Sequence, residues 1–489
     1  MRETLLNALA ILNEESGAHV DLYYAGDAGD VPFIPNALTV RFQDIRECCP
    51  TQPCPDGVVN NNPLGQASSW NCGSEGSGVA IFLKNCDGTV RDWRTSFSPG
   101  LGIMFEGVLV HEIVHAVWGI LHTDAGGSSV MIPAYVQDTH NAFRHLFTID
   151  ANTIELRSGL SSRVASYTTS TTGVSWSAPQ LVTSHYPERF TTVGPAIARR
   201  ATLPGQSSGE VLVAWPNMDV RAWRARFGVP GSGGAFTPPA SYPSNAAGRR
   251  LPVAVSYSAY GEVAVAAVGP CGAGSVHCPI HTAWSSNLGG SWVQSSIEAG
   301  FGTITRPVLE YDGYRDRFVL FFIRASDGYL YSTWRAAAPG GWWQSPVLAS
   351  SHRRYRFLGG AVFHPSGAPN LLTAAQDDPD IATMHRMVQL AVNVTGGGST
   401  YTLGSPGNLG SAFQNYRTRR PFGMAYDAGT DRTRIVWRGN NASRALFSTD
   451  RVGTGTGFFG SPVELMPNAV NSVDLTRTSS SWVATLSAL

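Results

Sequence analysis

The fold is decided by three consecutive strand-like segments, RPVLEYD (Arg306–Asp312), RFVLFFI (Arg317–Ile323) and LYSTWRAAAPGGWW (Leu330–Trp343). Each segment is rich in β-branched and aromatic residues, and turn-forming residues such as glycine and aspartate separate it from the next. Segments similar to the third recur from residue 164 to the end of the chain. This region therefore consists of repeats that are built from short strands.

The copies of the third segment define the length of the repeat, because their starts lie between 50 and 63 residues apart. A period of this length with about four strands per repeat is typical of β-propeller blades. We therefore predict an all-β six-bladed propeller over residues 161–489, in which strands from its two ends complete one blade together. The other copies are VASYTTSTTGVSWSAP from Val164, VRAWRARFG from Val220, IHTAWSSNLGGSW from Ile280, IATMHRMV from Ile381 and RALFSTDRVGTGTGFF from Arg444.

Length and charge distinguish the two parts of the chain. The 489 residues exceed a typical single domain, so a separate domain is predicted over residues 1–160. Residues 1–160 carry 18 acidic against 8 basic side chains, and the remainder carries 17 against 27. The basic second part favours an anionic partner. The chain has neither a nucleic-acid motif nor an apolar run of the roughly 20 residues that a membrane helix needs.

A second motif, HEIVHAVWGILH (His111–His122), lies in the first part of the chain. In a helix, His111 and His115 occupy positions i and i+4, so both imidazoles lie on one face and can bind one Zn²⁺. Glu112 stands where a general base reaches the metal-bound water. A third ligand is expected after Gly119, which can end the helix and let His122 return toward the metal.

Together with SVMIPAY (Ser129–Tyr135), this motif resembles the metzincin clan of zinc metallopeptidases, and most closely its matrixin branch. The resemblance implies an α+β metzincin-like catalytic domain over residues 1–160 with one catalytic zinc. It makes His111, His115 and His122 the metal ligands and Glu112 the general base.

The same resemblance assigns three residues beyond the helix. Met131 corresponds to the Met-turn below the metal, and Pro133 and Tyr135 correspond to the wall of the substrate pocket. One more residue separates His115 from Gly119 here than in the family, so Asp124 is the alternative third ligand. A structural Ca²⁺ has no support in the sequence.

The leading functional prediction is a zinc-dependent metalloendopeptidase that hydrolyses proteins or peptides through a metal-activated water. In this interpretation the propeller binds substrate, an anionic glycan or another surface. The alternative is a glycan-binding or sialidase-like glycosidase propeller with a non-catalytic metal-binding domain.

Two turns support that alternative, because SSNLGGSW (Ser285–Trp292) and TSTTGVSW (Thr169–Trp176) resemble the Asp-box of sialidase-type propellers. The Asp-box is a structural turn and carries no catalysis. Arginines that precede inner-strand segments, such as Arg306 and Arg420, are expected to pair with neighbouring strand ends.

Five of the seven cysteines lie close together, which favours disulfides and an oxidising compartment. We therefore predict a secreted protein, although the chain shows no signal peptide. Sequence does not decide the connectivity of Cys48, Cys49, Cys54, Cys72 and Cys86.

Overall fold

The computed structural model describes part of the chain before residue 163 and most of it afterwards. In the first part it describes positions 5, 8, 9, 12, 22, 38–43, 65–67, 78–84, 89–90, 93–94, 103–118 and 120. In the second part it describes 163–182, 190–191, 194–200, 210–216, 223–228, 240–242, 253–268, 279–286, 291–298, 300–303, 305–324, 327–352, 355–376, 386–410, 416–418, 420–439, 445–466, 470–478 and 480–488.

The chain forms two compact units, of which the first comprises Met1–Ser161 and Ala273–Val276. Its described core is a helix that packs with a small sheet, where Val108, Leu109 and Ile113 of the helix are buried with Val79 and Ile81 of a strand. The helix is α1 (Phe105–Trp118), and the sheet consists of β1 (Thr39–Gln43), β2 (Gly65–Ala67) and β3 (Gly78–Phe82). A separate pair is formed by β4 (Trp93–Arg94) and β5 (Ile103–Met104). Strand β3 is central, parallel to β1 and antiparallel to β2.

The described residues of the second unit, Ser162–Gly272 and His277–Leu489, form a β-propeller of six sheets. Five sheets are formed by consecutive strands, and both ends of the unit contribute to the sixth. Its strands before residue 300 are β6 (Arg163–Ser170), β7 (Gln180–Leu181), β8 (Phe190–Thr191), β9 (Ala196–Arg199), β10 (Val211–Pro216), β11 (Trp223–Gly228), β12 (Ala240–Tyr242), β13 (Val253–Tyr257), β14 (Val263–Val268), β15 (Ile280–Ser285) and β16 (Val293–Ser296).

The strands after residue 300 complete the ring. They are β17 (Val308–Asp312), β18 (Arg317–Ile323), β19 (Leu330–Ala336), β20 (Val347–Ser350), β21 (Tyr355–Val362), β22 (Asn370–Gln376), β23 (Met387–Thr395), β24 (Thr400–Leu403), β25 (Gly407–Asn408), β26 (Gly423–Asp427), β27 (Arg432–Arg438), β28 (Leu446–Val452), β29 (Val463–Met466), β30 (Val470–Arg477) and β31 (Trp482–Ala488). We number the sheets as blade 1 (β9–β12), blade 2 (β13–β16), blade 3 (β17–β20), blade 4 (β21–β25), blade 5 (β26–β29) and blade 6 (β30, β31, β6, β7 and β8).

The middle strands of the blades are more completely buried than the outer strands. Strands β14 and β22 are buried at every position, because neighbouring blades cover both faces of each sheet. Outer strands β16 and β29 have no buried residue. The apolar runs of the sequence, such as RFVLFFI in β18, are therefore the middle strands of the blades.

The ring closes in blade 6, where β31 from the C-terminal end pairs antiparallel with β6. The register runs from Trp482 opposite Ser170 to Ala488 opposite Val164. Val483 of β31 is fully buried with Tyr167 and with Trp215 of blade 1. Closure of this kind removes the exposed sheet edges that favour aggregation.

The fold-class prediction is correct for the β-propeller and wrong for the first unit. The described residues there comprise α1, a few further helical positions near the start of the chain and short strands, and they do not form the α+β metzincin-like catalytic domain that the motif implied. A helix with histidines at i and i+4 is a local pattern, and it does not determine the architecture around it.

Candidate ligand-binding face

Helix α1 brings the two predicted metal ligands of the described region together. The Nε2 atoms of His111 and His115 lie 3.1 Å apart. Nδ1 of His115 lies 2.5 Å from the carbonyl oxygen of Ile120, so Nδ1 donates to it and Nε2 keeps its lone pair. Two nitrogens that bind one tetrahedral Zn²⁺ at about 2.1 Å lie about 3.4 Å apart, so the pair fits the separation that zinc needs.

Glu112 points into the core of the first unit, where its side chain is buried. Burial raises the pKa of this carboxyl to about 8. No group of three or more His, Cys, Asp or Glu side chains that could hold a metal occurs among the described residues. The predicted residues His122, Met131, Pro133 and Tyr135 lie outside them, as does Asp124.

A buried arginine lies among the inner strands of the propeller. Arg306 precedes β17 of blade 3, and its side chain is only 4% exposed. Its Nη2 donates to the carbonyl oxygens of Phe422 at 2.7 Å and Gly359 at 3.3 Å, and it lies 3.5 Å from a carboxylate oxygen of Asp474. This one guanidinium therefore joins the inner strands of blades 3 to 6.

Asp474 extends the connection to blade 1, because its carboxylate accepts a hydrogen bond from the backbone N–H of Ile197 at 3.1 Å. Burial raises the pKa of Asp474, while Arg306 opposes that shift. Burial and the negative charge of Asp474 also raise the pKa of Glu310 on β17 well above its usual value. These groups thus form a structural polar cluster, as expected for arginines that pair with strand ends.

We call one end of the propeller the turn face. In each blade it carries the turn that joins the first strand to the second and the turn that joins the third strand to the fourth. In an antiparallel four-stranded blade both turns lie at the same end, and every blade begins from the opposite end. In the described parts of these turns, four large aromatic side chains are exposed. They are Tyr260 (59%) in blade 2, Tyr314 (59%) and Trp342 (75%) in blade 3, and Phe458 (69%) in blade 5.

Two of these aromatics occupy equivalent positions. In blades 2, 3, 5 and 6 an aromatic ring of the third-to-fourth turn packs against a buried cluster, and the residue before it is exposed. That exposed residue is a serine in blades 2 and 6 but Trp342 in blade 3 and Phe458 in blade 5. Serine is readily solvated, whereas exposed Trp and Phe indicate a binding surface.

The Asp-box-like turn of blade 6 has the compact form expected of a structural element. The Nε1–H of Trp176 donates to the carbonyl oxygen of Gly173 at 3.2 Å, and the N–H of Gly173 donates to Oγ of Ser170 at 2.7 Å. Gly173 has a positive φ of 76°. The turn stabilises the fold and offers no catalytic group.

Sequence reasoning missed the turn-face aromatics and two arginines beside them. Trp342 and Phe458 are each the first residue of an aromatic doublet that follows glycine, GWW and GFF. Arg335 and Arg451 end the matching strings STWR and STDR. Aligning these two repeats residue by residue could have identified both pairs.

Comparisons with known proteins find only distant structural similarity. The chain matches no family profile and no curated protein. Among solved structures it resembles AofleA from Arthrobotrys oligospora, with 9% identity over 60% of this chain and 79% of that one, and a TM-score of 0.42. It also resembles the six-bladed fucose-binding lectin of Aleuria aurantia, with 13% identity over 59% and 84% and a TM-score of 0.38. A third is the Hadza microbial sialidase Hz136, with 13% identity over 60% and 65% and a TM-score of 0.41.

These findings correct the leading functional prediction. The solved structures named above include a fucose-recognising lectin and a sialidase, and the described residues give no sign of a metzincin domain. The predictions of a matrixin-like metzincin and of a zinc metalloendopeptidase are therefore wrong, and a peptide substrate is not supported. The described helices include none long and apolar enough to cross a membrane.

Proposed function

We propose that the propeller binds glycans through its turn face. The observation that carries this proposal is the exposure of Tyr260, Tyr314, Trp342 and Phe458 on one end of the ring. Aromatic rings pack against the apolar C–H faces of sugars and offer large contact area at low entropic cost. Secretion, which was predicted from the cysteines, is part of the proposal.

The positions of these residues indicate that their exposure is not accidental. Isolated apolar residues on a surface are normal and need no explanation. Trp342 and Phe458, however, are equivalent residues of blades 3 and 5. Tyr260 and Tyr314 both lie in the turn between the first and second strands, in blades 2 and 3.

Replacing Trp342 or Phe458 with alanine is expected to weaken glycan binding at least tenfold, because each replacement removes an aromatic contact worth about 1.4 kcal/mol or more. Both side chains are mostly exposed, so the free energy of unfolding should change by no more than about 0.5 kcal/mol. The measurement is screening of the full chain on a glycan array, followed by calorimetric titration of the best ligand into each variant.

Val463→Ala is the matched control, since Val463 is an exposed apolar residue (50%) on the outer strand β29. It should leave the affinity unchanged. A chain that binds no glycan, or two alanine variants that bind as tightly as the native protein, would overturn the proposal.

We propose separately that His111 and His115 bind Zn²⁺ without catalysis, as the alternative interpretation of the sequence holds. The 3.1 Å between their Nε2 atoms, close to the separation that one zinc needs, supports this. The third ligand His122 and a catalytic role for Glu112 stay predictions.

Dialysis of the full chain against buffered Zn²⁺, followed by metal analysis, should give one zinc per chain. In the variant His111→Ala/His115→Ala the zinc should be lost, because one remaining ligand cannot hold the ion. His364→Ala is the control, since His364 lies in a turn of the propeller, where its ring contacts Ser366. Stoichiometric zinc in the double variant, or none in the native chain, would disprove the site.

A further inference from the structure

Arg335 and Arg451 are equivalent residues of two blades. Each is the second-last residue of a third strand, in LYSTWRA (β19) and LFSTDRV (β28). Third strands run toward the turn face, so both guanidinium groups belong to that end of the ring. Both residues are buried, at 5% and 8% exposure.

Neither arginine has a carboxylate partner in the part of the chain that the structure describes. Nε of Arg335 donates to the carbonyl oxygen of Ala336 at 3.1 Å, and its guanidinium lies over the ring of Trp284 in blade 2 at 4.5 Å. Nη1 of Arg451 donates to the carbonyl oxygen of Gly457 at 3.3 Å, and its guanidinium lies 5.0 Å from the ring centre of Phe459.

Arg451 has two buried donors without a partner in the described part of the chain. Its Nε and Nη2 atoms are buried and have no hydrogen-bond partner among the described residues. Arg434 of the same blade is equally buried and its Nε also has no partner among the described residues, but its Nη2 lies 2.8 Å from a carboxylate oxygen of Asp450. The contrast therefore does not reflect burial alone.

A buried guanidinium without a counter-charge is costly, and natural proteins rarely retain one without a partner or a ligand. Burial lowers the pKa of both arginines to about 10, so both stay charged at neutral pH. Their planar donors suit the paired oxygens of a carboxylate or sulfate. The turn that follows each arginine also carries an exposed aromatic, Trp342 after Arg335 and Phe458 after Arg451.

We propose that Arg335 and Arg451 are two equivalent anion sites that bind the carboxylate or sulfate groups of an acidic glycan, with the exposed aromatic of each turn contacting the sugar. This inference rests on the proposed function, and it names the class of glycan. The cation–π contacts with Trp284 and Phe459 hold the guanidinium planes in place for the anion.

The test is a titration of the full chain with three forms of one tetrasaccharide. These are chondroitin sulfate tetrasaccharide, its desulfated form, which keeps the uronate carboxylates, and the form that is both desulfated and carboxyl-reduced. We expect the neutral form to bind at least tenfold more weakly than an acidic form, and comparison of the first two forms distinguishes sulfate from carboxylate. In the double variant Arg335→Gln/Arg451→Gln the preference for the acidic forms should disappear. The double variant Arg335→Lys/Arg451→Lys should keep part of that preference.

Arg432→Gln is the control, because Arg432 is an exposed arginine of blade 5 whose Nη1 lies 3.0 Å from a carboxylate oxygen of Asp450. It should keep the full preference for the acidic forms.

A second measurement does not depend on glycan. Sodium sulfate, compared with sodium chloride at equal ionic strength, should raise the melting temperature more in the native chain than in the glutamine pair.

The outcomes separate the two proposals. If the native chain binds all three tetrasaccharides equally, the anion sites are disproved and glycan binding stands. If no tetrasaccharide binds but the sulfate effect depends on the two arginines, the anion sites stand and glycan as their ligand is disproved. The inference is overturned if sulfate raises the melting temperature equally in the native chain and in Arg335→Gln/Arg451→Gln, and the native chain shows no preference for the acidic tetrasaccharides.

Discussion

Gly423→Ala is expected to destabilise the propeller by about 3 kcal/mol, at the upper end of the usual range for overpacking. A Cβ at this position would lie 2.4 Å from the backbone nitrogen of Leu475 and 2.7 Å from the carbonyl carbon of Asp474. Both atoms belong to the backbone of β30, the inner strand of blade 6, and cannot turn aside as a side chain does. The inner strands of blades 5 and 6 must therefore move apart, which a calorimetric unfolding scan will show.

Gly407→Ala is the matched control for this substitution. The nearest atom to its Cβ would be Cγ of Gln389 at 3.6 Å, an ordinary van der Waals contact. Its melting temperature should stay close to that of the native chain. If the two variants melt at the same temperature, the close approach of blades 5 and 6 is not a feature of the folded protein.

Asp474→Ala is expected to cost about 3–5 kcal/mol, because it leaves the charge of Arg306 buried without a carboxylate. The substitution also removes the acceptor of the Ile197 N–H. Arg306 keeps its bonds to the carbonyl oxygens of Gly359 and Phe422, which do not neutralise its charge. The measurement is equilibrium unfolding in urea near pH 7.

A double-mutant cycle with Arg306→Met separates the ion pair from simple loss of packing. The variant Asp474→Ala/Arg306→Met should lose clearly less stability than the sum of the single variants, because neither charge is then left alone among the inner strands. Additive losses would mean that Arg306 and Asp474 do not interact.

The propeller could be predicted from sequence because its periodicity is a property of short, separated strands. RPVLEYD, RFVLFFI and LYSTWRA correspond to β17, β18 and β19 almost residue for residue. The sequence does not show which strands are covered on both faces. That depends on the neighbouring blade, and it explains why β14 is entirely buried whereas β16 is not.

The first unit and the ligand-binding face could not be predicted in the same way. HEIVH correctly placed His111 and His115 side by side on a helix, but a local motif does not determine the domain around it. Arg335 and Arg451 look like ordinary surface arginines in sequence. Only the packing of Trp284 from blade 2 and Phe459 from the next turn shows that they are buried.

The central claim, that the turn face binds glycan, is tested most directly by ¹⁹F NMR of the full chain labelled with 5-fluorotryptophan. Trp342→Phe assigns one resonance among the 13 tryptophans. Titration with the glycan selected on the array should shift the Trp342 resonance in proportion to occupancy and leave that of the fully buried Trp437 in place. A saturating glycan that leaves Trp342 unshifted, while the protein binds it, would contradict the account.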